Sequence, residues 1–531
     1  MTRRNRFFAN ALLLTAAALG MRGVGMLFNL YLTARLGAAG LGRFSLVMSV
    51  YGFAVTLASA GIGLAVTRVV SEAGETDSAA PRIRGAVRTG LLYSFLTGSS
   101  SALLLLLFSA PIGTYLLRDT ESIPSLRVLA LSLVPLALSA ALGGYFTARR
   151  RAFSCAVVGV SSQLSRIAMT VLLLHLWSGK GAESACLALV IGCLVSEIVG
   201  LLLSWLLYFP DAKRLSRTAA KPEPRRSARS AHSGTQTTQS AGTVSVAETV
   251  SRAIIRIAVP IAMTACIRSG LGTLLHLLIP SGLRRSGIGA EEALAAYGTV
   301  HGVVLPVLLF PAALLQSAAS LLVPEIAAFR ASGDKNAVQR WEKRMLGTTL
   351  CYAIFVSGIM LCFSEELGAL LGGNAETGTY LHTLAALIPV MYLDTVVDAF
   401  LKGLDEQVAS MRYNILDAAF CVLMAYLLLP ALGIRGYCLL LYASEIFNLA
   451  LSLSKLISVT GLRIPVLHWV VTPAVSVIGA GSLAVWFLRG MANIGITFRF
   501  AWVGLFVHIL VTGIFYGGFL WVFGKWERRE G

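Results

Sequence analysis

Residues 9–34 read ANALLLTAAALGMRGVGMLFNLYLTA, an apolar run long enough to cross a membrane, with a single arginine, Arg22, near its middle. Residues 252–279, RAIIRIAVPIAMTACIRSGLGTLLHLLI, repeat the arrangement, with Arg268 at the corresponding place. A membrane helix that keeps an arginine at mid-depth must turn it towards protein or water, because a charge in lipid is costly. The two runs therefore predict membrane helices around a polar interior suited to an anionic substrate.

The composition extends this prediction to the whole chain. Hydrophobic residues make up 56% of the sequence and charged residues 13%, and the mean hydropathy is +0.75. Apolar runs recur from end to end and predict an all-α polytopic membrane protein with about fourteen spans. The predicted spans are 9–34, 44–69, 89–116, 125–148, 152–177, 184–209, 252–279, 293–325, 345–371, 379–401, 409–431, 434–458, 464–488 and 499–523.

The distribution of Lys and Arg predicts the orientation, because cytoplasmic loops carry an excess of these residues. With the N-terminus in the cytoplasm, roughly 31 of the 44 Lys and Arg residues fall on the inside and roughly 10 on the outside. Both termini are therefore expected to be cytoplasmic. The net charge of +18 suits contact with anionic membrane lipids, and no nucleic-acid partner is expected.

One segment departs from the apolar pattern and predicts the domain organisation. Residues 211–250 are rich in Arg, Ser, Thr and Pro and contain few residues able to form a core. We interpret them as a flexible basic cytoplasmic linker. It would separate an N-lobe of six helices, 1–210, from a C-lobe of six helices, 251–460, with an additional helix pair and cytoplasmic tail in 461–531.

The two lobes begin with related sequences. Asn29 and His276 each follow the arginine by seven or eight residues, two turns along a similar helix face. The next helix opens with Leu41-Gly42-Arg43-Phe44 in one half and Ala296-Tyr297-Gly298-Thr299 in the other. Internal repeats in transporters place the substrate site near the bilayer midplane. The candidate substrate-binding residues are therefore Arg22, Arg268, Asn29 and His276.

For the other polar residues in the predicted spans, both a structural role and a functional role are open. Arg166 and Glu197 lie at mid-depth in neighbouring helices and predict a structural ion pair. Asp394 and Asp398 share a helix face with Lys402, so they are candidates for coupling to a proton or sodium ion, with a buried polar network as the alternative. Pairing with a buried acid is the alternative to substrate binding for both Arg22 and Arg268. No acid lies at a matching depth in the first four predicted helices, whereas the second half offers several. The acids of the second half are Asp394, Asp398, Asp417 and Glu445.

Glycine and cysteine positions add two expectations. Gly20, Gly23 and Gly25 would let the first helix approach its neighbours or flex. The eight cysteines are scattered through apolar segments without metal-ligand spacing, so neither a metal site nor a cofactor is expected.

Several stretches of the chain recur together in one group of membrane proteins. They are Arg22-Gly23-Val24-Gly25, Ala34 to Gly42, Gly61 to Arg68, Val323 to Ala327 with Gly333-Asp334, and Leu401 to Gln407. With these stretches the chain resembles the polysaccharide flippases of the stage V sporulation protein B group, in the multidrug/oligosaccharidyl-lipid/polysaccharide (MOP) exporter superfamily. It is also similar to lipid II flippases, but those carry a second basic residue where this chain has Phe28 and Asn29.

The resemblance implies a V-shaped transporter of two six-helix lobes that works by alternating access in a bacterial cytoplasmic membrane. It implies a flippase that moves an undecaprenyl-(pyro)phosphate-linked saccharide or peptidoglycan precursor from the inner to the outer leaflet, with enzymes of cell-wall synthesis as protein partners. A cation-coupled multidrug exporter of the same superfamily is the alternative. A membrane glycosyltransferase or polymerase fits less well, because the predicted outer loops are too short to hold a catalytic domain, so no enzymatic activity is expected.

Overall fold

The computed structural model describes residues 3–73, 80–177, 181–219, 241–371, 375–462, 467–493 and 501–530, and all regular structure in these ranges is helical. The α-helices are α1 Arg3–Ser59, α2 Ile62–Ala73, α3 Ala80–Pro111, α4 Ser122–Ala148, α5 Ala152–Leu176, α6 Gly181–Ala219, α7 Ala241–Arg285, α8 Ala290–Thr299, α9 Leu305–Leu309, α10 Ala312–Ala331, α11 Lys335–Cys362, α12 Ser364–Leu370, α13 Ala375–Ala385, α14 Ile388–Gly403, α15 Gln407–Thr460, α16 Thr472–Asn493 and α17 Ala501–Glu530. Three π-helical turns span Ile112–Leu117, Val300–Val304 and Leu467–Val471. The all-α polytopic membrane fold predicted from the sequence is confirmed.

Twelve helical segments of the described chain are long and apolar enough to cross a membrane, or thirteen with the bent pair α13 and α14 counted as one. Two of the twelve, Gly20–Ala73 and Gln407–Thr460, have 54 residues each and would extend for about 80 Å, far more than a bilayer core of about 30 Å. Each is divided by a glycine with non-helical dihedral angles, Gly37 (φ 69°, ψ 173°) and Gly433 (φ 56°, ψ −130°). Each therefore contains two of the predicted spans.

The predicted span 293–325 corresponds to a helix with a kink. Segments Ala290–Leu309 and Ala312–Ala331 are joined through Phe310 and Pro311, which both keep right-handed helical dihedral angles. Proline has no N–H to donate within the helix, so a kink at this position is expected. With this segment counted once, every predicted span has a described helix as its counterpart.

The chain divides into two compact units whose boundaries differ from those of the predicted lobes. The first unit contains Met1–Leu14 and Leu46–Thr273, and the second contains Thr15–Ser45 and Leu274–Gly531. Most of the first predicted span thus belongs with the second half of the sequence, and the beginning of α7 belongs with the first half.

Close backbone contacts explain why parts of α1 and α7 belong to the unit formed mainly by the other half of the sequence. In the second unit, a Cβ on Gly42 would lie 2.1 Å from the carbonyl oxygen of Leu294, and a Cβ on Gly298 would lie 2.1 Å from that of Ala38. In the first unit, a Cβ on Gly61 would lie 2.4 Å from the carbonyl oxygen of Ala258. Only glycine permits helices to approach this closely, so α1 is fitted to α8 and α7 is fitted to α2.

Each unit has its own apolar core. In the first unit, α2, α3, α4, α6 and α7 bury a cluster that includes Ile62, Val66, Leu142 and Ile254. In the second unit, α10, α11, α14 and α15 bury Leu322, Leu346, Phe400 and Leu456, among others. The additional C-terminal pair, α16 and α17, packs on α11 through Ile354, Val477, Ala480 and Tyr516.

The segment predicted as a linker is partly helical. Helix α6 continues to Ala219 and α7 begins at Ala241, while 220–240 lie outside the described residues. Asp211, the first residue of the predicted linker, is buried. It accepts a hydrogen bond from the Tyr145 hydroxyl (3.0 Å) and forms a salt bridge with Arg151 (2.7 Å). These contacts make Asp211 part of the first unit.

Candidate functional site

Arg22 lies on α1 in the second unit, with an exposed side chain. Its Nη2 donates a hydrogen bond to Oε1 of Gln316 on α10, and it forms no ion pair with any other described residue. A neutral amide therefore holds the guanidinium without cancelling its charge. Sequence reasoning did not single out Gln316, although a lone amide inside the apolar run 305–323 was an available signal.

Asn29 lies near Arg22 along α1 and borders a small cavity within the second unit. The cavity is enclosed by α1 on one side and by the π-helical turn Val300–Val304 with the following helix on the other. The lining residues are Met26, Asn29, Leu30, Thr33, Gly302, Val303, Pro306 and Val307. Most of these side chains are apolar, and the polar groups of the wall are the amide of Asn29 and the hydroxyl of Thr33.

His276 packs into a cluster of rings within the second unit. Its Nδ1 is 3.2 Å from the hydroxyl of Tyr297, and its ring centroid is 4.7 Å from that of His301. His301 in turn contacts Tyr297 and Tyr437, with centroids 4.8 and 6.3 Å apart. The structure thus places His276 against buried aromatic side chains, together with a second histidine.

Arg268 lies on the part of α7 that belongs to the first unit, and its side chain is exposed. Hydrogen bonds beside it tie α7 to α1: Thr56 donates to Ser269 (3.1 Å), and Thr273 donates to the carbonyl oxygen of Ser49 (3.0 Å). Arg268 itself has no hydrogen bond or ion pair with the described residues. The expectation that both arginines face one cavity stays a prediction, because the two belong to different units.

The acidic residues considered as partners of Arg268 make contacts within the second unit. Asp398 forms a salt bridge with Lys402 (2.5 Å) and accepts a hydrogen bond from Ser410. Asp394 accepts a hydrogen bond from Asn448 (3.2 Å), and Asp417 accepts one from Ser444 (3.0 Å). Asp398 therefore has a positive neighbour that neutralises it, and Asp394 belongs to a hydrogen-bonded network with Asn448.

Arg166 and Glu197 do not form the salt bridge predicted from their depth, although α5 and α6 pack together. A Cβ on Gly192 would lie 2.2 Å from the Thr170 hydroxyl, and one on Gly200 would lie 2.8 Å from the Ser162 hydroxyl. This register brings Arg166 opposite Ser196, and Glu197 is turned about 100° further around α6. Nε of Arg166 is buried without a hydrogen-bond partner among the described residues. The Glu197 carboxylate still lies within electrostatic range of the Arg166 guanidinium, so the two interact without the predicted short-range ion pair.

The described residues contain no group of three or more His, Cys, Asp or Glu side chains able to hold a metal ion.

Two family models match the chain in succession. Residues 7–263 match the model described as "Polysaccharide biosynthesis protein", and residues 260–427 match the MatE model. Among curated proteins, stage V sporulation protein B of Bacillus subtilis (strain 168) is 23% identical over 484 residues, which cover 90% of this chain and 88% of that protein. The resemblance identified from the sequence is confirmed by these matches.

Solved structures of two kinds share the fold. The lipid II flippase MurJ in an inward closed conformation matches with a TM-score of 0.66 and 12% identity, covering 97% of this chain and 99% of that one. An inward-facing multidrug resistance MATE family transporter of the MOP superfamily matches with a TM-score of 0.61 and 15% identity, covering 84% of this chain and 95% of that one. At these identities the likeness establishes the fold alone.

Proposed function

We propose that this multi-pass membrane protein, a member of the MOP exporter superfamily, is a flippase for an undecaprenyl-(pyro)phosphate-linked saccharide or peptidoglycan precursor. It would move the headgroup from the inner to the outer leaflet of a bacterial cytoplasmic membrane by alternating access, with both termini in the cytoplasm. The observation that carries the proposal is Arg22, an exposed guanidinium in a membrane-spanning helix whose partner is the neutral amide of Gln316.

An arginine in this setting favours an anionic ligand. Placing it at mid-membrane costs about 2.5–3.5 kcal/mol on insertion scales, and a partner without charge recovers only part of that cost. Arginine engages phosphate oxygens through two parallel N–H···O bonds, and such bonds strengthen where water is scarce. Gln316 orients the guanidinium and leaves its remaining donors available for a phosphate.

The other predicted ligands have different parts in the proposal. Arg268 offers a second exposed guanidinium, in the first unit. Asn29 lines the cavity beside α1, where its amide is suited to a sugar hydroxyl. His276 is held by Tyr297 in the ring cluster, so we assign it an indirect effect on the substrate. An inside-negative potential favours outward movement of an anion by about 2.3 kcal/mol per charge per 100 mV.

The relatives support the saccharide class by their names. One matching model is described as a polysaccharide biosynthesis protein, one relative is a sporulation protein, and one matching structure is a lipid II flippase. We therefore propose a polyprenyl-linked phosphate saccharide as substrate. Anionic membrane lipids would contact the basic cytoplasmic segments, and enzymes of cell-wall synthesis would supply or consume the substrate.

A second candidate is a cation-coupled drug exporter, which the MatE match over 260–427 favours. The acids of α14 and α15 lie in that region, and Asp394 would be its coupling residue. A drug cation, however, is repelled by Arg22 and Arg268. We rank this function second for that reason.

The test is translocation of undecaprenyl-pyrophosphate-linked disaccharide in proteoliposomes that contain the full-length protein. We expect Arg22→Ala to lower the translocation rate by about tenfold or more, which corresponds to loss of about 1.4 kcal/mol of binding, and Gln316→Ala to have a smaller effect. Arg35→Ala is the matched control, since Arg35 is also exposed on α1 but rests over the Tyr31 ring. Equal rates for wild type and Arg22→Ala would remove Arg22 from the site. Drug-driven proton exchange without lipid translocation would favour the exporter.

A further inference from the structure

The kinked helix formed by α8, α9 and α10 contains a π-helical turn, Val300–Val304, inside a membrane-spanning segment. A π turn inserts one extra residue into the helix, and such turns are rare and frequently lie at functional sites. The only polar side chain of this turn belongs to His301. The turn therefore presents one imidazole at a place where the helix is irregular.

His301 meets a second imidazole at this position. The ring of His276, on α7, packs edge to face against that of His301, with centroids 4.7 Å apart and planes at 73°. The Tyr297 hydroxyl lies 3.2 Å from Nδ1 of His276, and the Tyr297 ring also contacts His301. Each histidine lies roughly 15 Å along its helix from the turn at 286–289, which is well inside the bilayer.

The hydroxyl of Tyr437 is the third element of the cluster. Tyr437 is fully buried, its ring centroid is 6.3 Å from that of His301, and its oxygen has no hydrogen-bond partner among the described residues. A buried hydroxyl without a partner is costly, and native proteins rarely retain one. The described conformation thus leaves one buried hydroxyl of the cluster without a hydrogen bond.

We propose that His276 and His301 form a proton-binding site that holds one proton and couples proton binding to the conformational cycle. Two imidazolium charges at this separation repel each other, so the pair takes up at most one proton. A charge buried among rings without a partner is unfavourable, so proton uptake favours a conformation in which the Tyr437 hydroxyl or water accepts a hydrogen bond from the imidazolium. Coupling to transport rests on the proposed function; proton binding does not.

A physical path connects this site to the substrate residues of the same unit. Gly302 follows His301 in the π turn, and a Cβ there would lie 2.3 Å from the side chain of Leu41 on α1. Gly302 and Val303 also line the cavity that Asn29 borders. A change in the π turn upon protonation therefore reaches α1, the helix that carries Arg22.

Other titratable groups lie on the elements packed around the pair. Buried or partly buried groups near it are Tyr297 on α8, Tyr380 on α13, and Tyr437 and Cys438 on α15. Charged or exposed groups on the same elements are Arg22, Arg35 and Arg43 on α1, Arg284 and Arg285 on α7, Glu291 and Glu292 on α8, and Glu376 and His382 on α13. The two imidazoles are the groups of this set with an ordinary pKa between about pH 5 and 8 whose rings touch.

The direct test is residue-resolved hydrogen–deuterium exchange at histidine C2 positions, followed by mass spectrometry of the full-length protein in nanodiscs between about pH 5 and 9. We expect His276→Gln to move the titration midpoint of His301 by about half a pH unit or more, since it removes the competing site. His382, exposed on α13, serves as the internal control and should keep its midpoint. An unchanged His301 midpoint, or no titration of either histidine in this range, would overturn the proposal.

A second experiment addresses coupling and keeps it distinct from the substrate assignment. Translocation of undecaprenyl-pyrophosphate-linked disaccharide is measured at several pH values for wild type, His301→Gln and the control His175→Gln, which alters an exposed histidine of α5. We expect the pH dependence to flatten only in His301→Gln. Identical pH profiles for all three proteins would overturn the coupling. If wild type translocates no lipid but His276→Gln shifts the titration midpoint of His301, the proposed substrate is wrong and the proposed proton-binding site is retained.

Discussion

Replacing Gly42 with alanine tests the contact that joins α1 to the second unit. The new Cβ would lie 2.1 Å from the carbonyl oxygen of Leu294 and 3.3 Å from the backbone nitrogen of Gly298. Carbon and carbonyl oxygen approach each other to about 3.3 Å at closest, so α1 must move away from α8 by about 1 Å. Both obstructing atoms belong to backbone, which cannot turn aside as a side chain would.

The magnitude follows from two opposing effects. Overpacking of a tight contact typically costs about 1–3 kcal/mol. Alanine has a helix propensity better than that of glycine by about 1 kcal/mol, which offsets part of this cost. We therefore expect Gly42→Ala to lower the free energy of unfolding by up to about 2 kcal/mol, because the packing cost exceeds the gain in helix propensity.

A matched control on the same helix gives the opposite sign. A Cβ on Gly52 meets no atom within 4 Å, so Gly52→Ala gains helix propensity and should raise stability by up to about 1 kcal/mol. The assay is unfolding of both variants and wild type in mixed micelles of increasing SDS content, followed by circular dichroism. If Gly42→Ala unfolds at the same SDS content as Gly52→Ala, the contact between α1 and α8 does not hold the unit together as argued.

Three further substitutions test buried polar groups by the same assay. Asp211→Asn removes the negative charge that Arg151 and Tyr145 contact, so it should lower the free energy of unfolding of the first unit by about 1–3 kcal/mol. Tyr145→Phe removes only one hydrogen bond to Asp211 and should lower it by about 1 kcal/mol. Equal unfolding of Asp211→Asn and wild type would contradict this. Tyr437→Phe deletes a buried hydroxyl without a partner among the described residues and should leave stability unchanged or higher. A loss of 1 kcal/mol or more, on the scale of one hydrogen bond, would show that the hydroxyl is bonded in solution.

Features that depend only on the order of residues along the chain were predictable. Spans follow from the length of apolar runs, and the kinks at Gly37, Gly433 and Pro311 lie at residues whose backbone preferences are known in advance. Such quantities require no knowledge of which helices are neighbours.

Features that depend on helix rotation and pairing were not predictable. Arg166 and Glu197 interact electrostatically, but the register of α5 and α6 places Ser196 rather than Glu197 opposite Arg166. The glycines beside Arg22 were expected to serve close helix contact, yet a Cβ on Gly20 or Gly23 would meet nothing within 4 Å, and Gly42 makes the contact instead. Gln316 and His301 gained their importance only from neighbours that are distant in the sequence.

The repeat within the sequence and the contact between Gly42 and Gly298 support each other. The repeat aligns the segment containing Gly42 with the segment containing Gly298, and a Cβ on Gly298 would lie 2.5 Å from the backbone nitrogen of Gly42. Residues Thr15–Ser45 of α1 and all of α8 belong to the second unit, so this contact between equivalent segments of the repeat lies inside that unit and fixes the part of α1 that carries Arg22 within it. Gln316 and the histidine pair belong to that unit too, so changes in either reach Arg22 through packed helices of a single body.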